Sequence, residues 1–209
     1  PRALDYEARL SADTGEVTIA RIDRAEPNKN IVRGFRAYEL MLSRYPELKG
    51  KVKFLAFLVP SRTHIRQYQR YMDEIQQVIQ QINNNHGTED WQPIVPFIEN
   101  NYTQAIAGMK LYDVLLVNTI IEGMNLVAKE YVASRFDEDG VLILSPFTGA
   151  ASELVDSVIV NPYATDDFAD AILESVVMPY ELRHERMIRM RTVVEENNIY
   201  MWAARLFVD

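Results

Sequence analysis

The sequence predicts an α/β protein built on a doubly wound, mostly parallel sheet. Two observations lead to this fold class. Short apolar runs, of the kind buried on both faces of a parallel sheet, alternate about six times with longer segments of helical periodicity. Polar residues and glycines stand where the strand-like runs give way to helices. In a parallel sheet such junctions share one edge, which is where ligands bind.

The elements follow from these patterns in chain order. The predicted strands are the apolar runs at 17–22, 52–59, 94–98, 114–117, 140–145 and 157–160. The predicted helices begin near residues 31, 64, 102, 123, 165 and 179. Pro96 places the third strand at a sheet edge, because proline cannot donate to a central ladder. The NNNHG run at 83–87 is predicted to end the second helix, and Thr165 to cap a helix with an acidic first turn.

Domain organisation follows from the same assignment. Residues 17–178 are predicted to form one domain and residues 179–209 to form C-terminal helices. Residues 1–16 are predicted to be a surface helix or the stub of an interdomain segment. A Met and aromatic pattern in the tail indicates packing and not a cofactor site; its members are Met187, Met190, Tyr200, Met201, Trp202 and Leu206.

Composition argues against several classes of function. A net charge of −8 disfavours a general nucleic-acid binder, because phosphate contacts need a basic face. The chain has no cysteine, and we predict no metal and no cofactor. It also has no apolar run of membrane-spanning length and no signal-peptide core, so a cytoplasmic protein without a membrane partner is expected. The oligomeric state is left open, a homo-oligomer included.

The stretch from Tyr112 to Arg135 carries the strongest local signal. The buried strand 114–117 changes at Glu122-Gly123-Met124-Asn125 into a helical pattern. The exposed N–H groups of a helix start at a strand end favour an anion, and Gly123 lets a ligand approach the backbone. An ordinary strand-to-helix turn with a tightly packed glycine is the alternative.

Two cations bracket the loop that follows the first strand. Arg21 and Lys29 could clamp a diphosphate there, because Arg engages two oxygens and Lys supplies a point charge. The alternative is a solvated loop whose charges pair with Asp23 and Glu26. His64, after the second strand, has no second histidine one helical turn away, so we interpret it as a surface residue and not as a metal ligand.

Four segments resemble a known family. They are RYPELKGKVKFLAFLVPSR at 44–62, EGMNLVAKEYVASR at 122–135, GVLILSPFTGAASEL at 140–154 and VNPY at 160–163. Together they resemble the C-terminal half of trehalose-6-phosphate synthases, the retaining GT-B glycosyltransferases of family 20, in the family's order and near its spacing. The resemblance runs from about Val17 to the C-terminus.

This resemblance implies a Rossmann-like nucleotide-sugar-binding domain, the C-terminal half of a GT-B fold. It implies transfer of glucose from UDP-, GDP- or ADP-glucose to glucose 6-phosphate. The partner it implies is the family's N-terminal Rossmann-like domain, which has no counterpart here, so this half is expected to be inactive alone.

The resemblance also implies residue roles. Arg21 and Lys29 match the family's catalytic pair that binds the donor diphosphate, together with N–H groups at Leu126 and Val127. Arg62 matches an arginine that reaches the acceptor phosphate. The remaining matches are the donor-sugar residues Glu122, Gly123, Met124 and Asn125, and the ribose-binding Glu130.

Two differences from the family pattern leave alternatives open. Lys29 lies three residues further from Arg21 than is usual and is followed by Asn30 instead of Gly, and Glu122 replaces an Asp. A glucosylglycerol-phosphate synthase or a validamycin-type pseudo-glycosyltransferase remains an alternative. A flavodoxin-like or receiver-like module that binds a partner or a nucleotide without catalysis is another; the joint presence of Arg21, Lys29, Glu122-Gly123 and Glu130 argues against it.

Overall fold

The computed structural model describes residues 2–11, 15–197 and 201. Its strands are β1 (Val17–Arg24), β2 (Val52–Val59), β3 (Ile94–Phe97), β4 (Val114–Val117), β5 (Val141–Leu144) and β6 (Val158–Ile159). Its helices are α1 (Arg2–Ser11), α2 (Ile31–Arg44), α3 (Arg66–His86), α4 (Tyr102–Met109), α5 (Leu126–Ser134), α6 (Thr165–Val176) and α7 (Tyr180–Glu196).

The six strands form one sheet in the order β3-β2-β1-β4-β5-β6, and every pairing between them is parallel. The strand order reverses beside β1, since β2 and β3 extend the sheet on one side and β4 to β6 on the other. This is the strand order of the Rossmann fold. The predicted doubly wound parallel sheet is confirmed.

Both faces of the sheet are covered by helices. Alternate strand residues point to opposite faces, so Ile19 and Phe54 join one buried cluster and their neighbours Ala20 and Leu55 join the other. The first cluster includes residues of α2, α3 and α6, and the second includes residues of α1, α4, α5 and α7. Burial on both faces explains why the strands read as continuous apolar runs.

Several boundaries differ from the sequence prediction. β1 continues two residues past Ile22, because its pairing with β2 extends to Arg24. The run at 83–87 ends α3 as predicted, but the helix continues through the three asparagines to His86, with Gly87 as its C-cap. Thr165 lies inside α6 and its N-cap is Ala164, so the predicted cap is wrong, although the acidic first turn is confirmed.

The predicted packing role of the tail is partly tested. Met187 and Met190 of α7 are buried in the second cluster, as predicted. Met201 is exposed, so it is not a core residue. Tyr200, Trp202 and Leu206 lie outside the described residues.

The short edge strand β3 is held by α3. Asn83 donates a hydrogen bond from Nδ2 to the carbonyl of Ile94 (2.8 Å) and accepts one from its N–H through Oδ1 (2.9 Å). Asn83 therefore stays in the helix and supplies hydrogen bonds to the first residue of an edge strand. Pro96 follows two residues later, and the predicted edge position of β3 is confirmed.

We expect Asn83→Ala to lower the free energy of unfolding by about 1–3 kcal/mol, because it leaves the Ile94 N–H without its partner. The matched control is Asn84→Ala, at an exposed position of the same helix with no polar contact to the described residues. Both changes gain the same helix propensity, so urea denaturation isolates the lost contact. Equal stabilities of the two variants would show that the Asn83 contact does not hold β3.

Candidate functional site

The candidate site lies at the carboxyl edge of the sheet, between β1 and β4. The chain leaves β1 toward α2 on one face and leaves β4 toward α5 on the other. The two connecting loops therefore diverge and form a crevice, which is the usual ligand position in open α/β sheets. Lys29 lies on the first loop and Glu122 on the second.

The two loops are joined by hydrogen bonds of asparagine residues and of the backbone. The Ile120 N–H donates to the Asn28 carbonyl (2.8 Å), and Asn28 Nδ2 donates to the Ile121 carbonyl (3.4 Å). Asn118 Nδ2 donates to the Asn30 carbonyl (2.9 Å), and Asn30 Nδ2 returns a bond to the Asn118 carbonyl (3.2 Å). These four contacts fix the position of one loop relative to the other.

Arg21, near the end of β1, is completely buried under its loop. Its Nε and Nη2 donate to Asp23 Oδ2 (3.2 and 2.7 Å), Nη2 also donates to the Lys29 carbonyl (3.1 Å), and Nη1 donates to the Ile31 carbonyl (3.3 Å). The guanidinium lies over the Phe35 ring, 5.7 Å from its centroid. The predicted alternative of a solvated loop is wrong, although the pairing with Asp23 that it included is confirmed.

Lys29 is also buried, and it connects the two loops electrostatically. Its Nζ lies 2.5 Å from Glu122 Oε1 and 3.7 Å from Asp23 Oδ1. Burial raises the pKa of Asp23, while the charges of Arg21 and Lys29 act in the opposite direction. The long loop thus returns its lysine to the turn that follows β4.

The turn after β4 ends in a capped helix. Asn125 is the N-cap of α5, with a φ of 62°, and its Oδ1 accepts the Ala128 N–H at 2.9 Å. Its Nδ2 donates to Glu122 Oε2 at 2.6 Å, so the same side chain caps the helix and orients the carboxylate. The N–H groups of Leu126 and Val127 begin the helix, where backbone donors have no partner within the helix. The predicted change from strand to helix across residues 122–125 is confirmed, although the helix itself begins at Leu126, three residues after Gly123.

Gly123 and Gly149 have different packing. A Cβ on Gly123 would have no described atom within 4 Å, so Gly123 is not a tightly packed glycine. A Cβ on Gly149 would lie 1.9 Å from the Gly123 carbonyl oxygen, so it is Gly149, in the loop after β5, that permits the close approach. The open side of Gly123 leaves its backbone accessible.

Glu130 and Arg62 lie outside the buried cluster. Glu130 is half-buried on α5, and it makes no ion pair or hydrogen bond with the described residues. Arg62 is exposed after β2 with a φ of 46°, and its Nη1 donates to Tyr68 Oη at 3.0 Å. Such positive φ values in non-glycine residues occur preferentially at functional sites. The exposed His64 is confirmed as a surface residue.

A cleft of about 180 Å³ lies beside Arg62. It is lined by Ala25, Pro60, Ser61, Thr63, Tyr68, Gln69, Met72 and Asp73.

One acidic segment has the spacing of a metal motif but a different role. Asp137 and Asp139 precede β5 and thus lie at the opposite edge of the sheet, where they pair with Arg135 and Arg183. Among residues 2–11, 15–197 and 201, no group of three His, Cys, Asp or Glu side chains is arranged to hold a metal. In the same part of the chain, no helix is long and apolar enough to cross a membrane.

The residues beneath the site that hold its two loops in place could not be identified from the sequence. No local pattern predicts a role for Asn28, Asn30 or Asn118, and the sequence predicts Asp23 only as a partner of the loop charges. The available signal was the set of asparagines flanking the two strand ends, since asparagine commonly bonds local backbone in turns. The pairing of loops 93 residues apart in sequence was not visible in any local pattern.

Fold and site together define a Rossmann-type α/β protein whose strand-end loops bring a lysine, a carboxylate and a helix N-terminus together at the topological switch point. Comparison with known proteins is consistent with this class. Residues 7–209 match the profile of Glycosyltransferase family 20. The chain belongs to this family.

Individual relatives agree with the family match. A trehalose-6-phosphate synthase of Sodalis glossinidius is 36% identical over 195 residues, which cover 91% of this chain and 41% of that protein. A UDP-forming α,α-trehalose-phosphate synthase of Burkholderia xenovorans, solved in complex with glucose 6-phosphate, is 34% identical with a TM-score of 0.89, over 92% of this chain and 43% of the other.

An E. coli structure bound with UDP-2-fluoro glucose is 32% identical with a TM-score of 0.91, over 100% of this chain and 46% of the other. The chain thus spans less than half of the length of these relatives.

We expect Arg21→Lys to lower the free energy of unfolding by about 3 kcal/mol, because lysine cannot reproduce the forked contacts to Asp23 and the loop carbonyls. The control is Arg24→Lys, whose wild-type side chain is 59% exposed and pairs with Glu26. That change should stay within about 0.5 kcal/mol of wild type in urea denaturation. A similar small effect at Arg21 would contradict its role in holding the loop.

Proposed function

We propose that this chain is the donor-binding domain of a retaining glycosyltransferase, which transfers glucose from a nucleotide diphosphate glucose to glucose 6-phosphate and forms trehalose 6-phosphate. The observation that carries the proposal is the convergence of Lys29, Glu122 and the N-terminus of α5 at the switch point. A cation and free N–H groups suit a leaving diphosphate, and a carboxylate suits sugar hydroxyls. The ligands of the similar solved proteins support this choice of substrates.

Lys29 and the first N–H groups of α5, at Leu126 and Val127, are proposed to bind the donor diphosphate. Departure of a nucleoside diphosphate develops negative charge on its β-phosphate, and fixed donors stabilise that charge without reorganising. Arg21 lies directly beneath Lys29, so its charge acts on the same place through a poorly solvated interior. The guanidinium donors of Arg21 are engaged by the loop, and its direct contact with the diphosphate stays a prediction.

The turn from Glu122 to Asn125 is proposed to hold the donor glucose. Glu122 can accept sugar hydroxyls once Lys29 turns to the phosphates, and the open backbone at Gly123 and Met124 lets the ring approach closely. Asn125 keeps the carboxylate in place from beneath. Glu130, without a partner among the described residues, is proposed to accept the ribose hydroxyls.

The acceptor site is proposed to be shared with a second domain. Arg62 is exposed beside a cleft and can reach the phosphate of glucose 6-phosphate. In the proposed enzyme, residues 17–178 form the donor-binding domain, residues 1–16 belong to an interdomain segment and residues 179–209 are C-terminal helices. An N-terminal Rossmann-like domain then closes the cleft. The cytoplasmic location expected from the sequence stays a prediction.

Lys29→Ala should weaken nucleotide binding by roughly tenfold or more, because a charge-assisted contact contributes about 1.5–3 kcal/mol. The measurement is calorimetric titration with UDP-, GDP- and ADP-glucose, which also identifies the base. Lys110→Ala is the control for the loss of a lysine ion pair, since Lys110 pairs with Glu7 (3.0 Å) just before β4, at the opposite sheet edge. Equal affinities of both variants and wild type would remove Lys29 from the donor site.

Transfer to glucose 6-phosphate is expected only when the N-terminal half is supplied. Donor and acceptor must be held in a reactive geometry, an effect that can be worth on the order of 7–11 kcal/mol. The 209-residue chain should therefore bind the donor without releasing nucleoside diphosphate, and adding a relative's N-terminal half in trans should restore turnover. Turnover by the chain alone at the rate of an intact relative would contradict the half-site proposal.

A further inference from the structure

Glu122 and a bound diphosphate would compete for the same ammonium group, that of Lys29. Lys29 Nζ lies 2.5 Å from Glu122 Oε1, the shortest contact of the cluster, and Lys29 is almost completely buried. The only other carboxylate near it, among the described residues, is Asp23 at 3.7 Å. Asp23 already accepts two hydrogen bonds from Arg21. Glu122 is thus the main partner of Lys29 in this cluster.

The cluster is also balanced in formal charge. Arg21 and Lys29 carry two positive charges, and ionised Asp23 and Glu122 carry two negative ones. An entering diphosphate therefore meets a site with no excess of positive charge in its core. It gains full use of Lys29 only by separating it from Glu122.

Separation leaves the Glu122 carboxylate poorly satisfied. Its side chain is only 23% exposed, and apart from Lys29 its carboxylate has, among the described residues, the single donor Asn125 Nδ2, at 2.6 Å. Next to an anion, a carboxylate with so few donors is repelled and is also incompletely solvated. A nucleoside diphosphate alone offers it no hydrogen-bond donor at the sugar position. A nucleotide sugar offers the hydroxyl groups of its glucose.

We infer that Glu122 determines the preference of this site for a nucleotide sugar over the sugar-free nucleoside diphosphate, by competing with the diphosphate for Lys29. The inference rests on the proposed donor site. With glucose present, the sugar hydroxyls replace Lys29 as partners of Glu122, so little is lost on exchange. Without glucose, Glu122 continues to compete for the ammonium group of Lys29, so the nucleoside diphosphate binds less tightly. Glu122 thereby promotes release of the nucleoside diphosphate after the sugar has been transferred.

The test compares Kd values for two ligands by calorimetry. These are the nucleoside diphosphate that the wild-type chain binds most tightly among UDP, GDP and ADP, and its glucose ester. Glu122→Gln should tighten binding of the nucleoside diphosphate by about tenfold, because the competitor for Lys29 is removed. It should leave binding of the glucose ester unchanged or weaker, because a sugar contact is lost as well. The preference for the glucose ester therefore falls by at least about tenfold.

The control for charge alone is Glu7→Gln. The Glu7 side chain is 23% exposed, like that of Glu122, and it pairs with Lys110 at the far edge of the sheet. Neither affinity should change in this variant.

A double-mutant cycle separates competition from simple repulsion. In a Lys29→Gln background, Glu122→Gln should no longer tighten nucleoside diphosphate binding, because there is no ammonium left to release. A tightening that persists in that background would overturn the inference in favour of direct repulsion.

Folding of each variant is checked by circular dichroism. If Glu122→Gln does not fold, Glu122→Asp serves instead, because it keeps the charge and shortens the reach to Lys29; nucleoside diphosphate affinity should rise, though by less. Unchanged affinity ratios in the folded variants would refute the inference while the donor site stands. A wild-type chain that binds neither ligand would refute both.

Discussion

The buried guanidinium of Arg21 is the contact on which the arrangement of the site depends. A fully buried cation requires partners, and Arg21 finds them in Asp23 and in two carbonyls of the loop that carries Lys29. Satisfying the guanidinium therefore determines the path of that loop. Gly34 of α2 leaves the space required, because a Cβ there would lie 2.8 Å from Arg21 Nη1.

From this fixed loop the rest of the crevice follows. Lys29 projects to Glu122, Glu122 is held by Asn125, and Asn125 caps the helix that begins at this edge of the sheet. The parallel sheet brings β1 and β4 side by side, so residues 93 apart in sequence meet at one edge. The backbone of the two loops and the start of α5 are thus held in place, and only the side chains of Lys29 and Glu122 exchange partners in the proposed donor complex.

Much of this could be predicted from local pattern. Runs such as 52–59 and 114–117 identified their strands, because burial on both faces leaves an uninterrupted apolar signature. Pro96 marked an edge because of the hydrogen bond it cannot make. The positions of Arg21, Lys29 and Glu122 at strand ends were visible too, and the resemblance to family 20 supplied their expected roles.

What the sequence could not show was burial and pairing across distance. The loop charges looked solvated, since nothing local distinguishes a buried arginine from an exposed one. Asn30 stands where the resembling family has glycine, and the reason is its left-handed conformation, with a φ of 54°, which asparagine tolerates. The asparagines at 83–85 predict the end of a helix. The helix nevertheless continues past them, and Asn83 forms its hydrogen bonds with the backbone of Ile94 from within the helix.

The central claim is that Lys29 exchanges a carboxylate for a phosphate at the switch point. A crystal structure of the chain with a bound nucleotide diphosphate glucose tests it most directly. We predict that Lys29 Nζ lies about 2.8 Å from a phosphate oxygen and that Glu122 turns to the glucose hydroxyls. The nucleotide should lie in the crevice at the carboxyl ends of β1 and β4. An intact contact between Lys29 and Glu122, with the nucleotide bound elsewhere, would contradict the account.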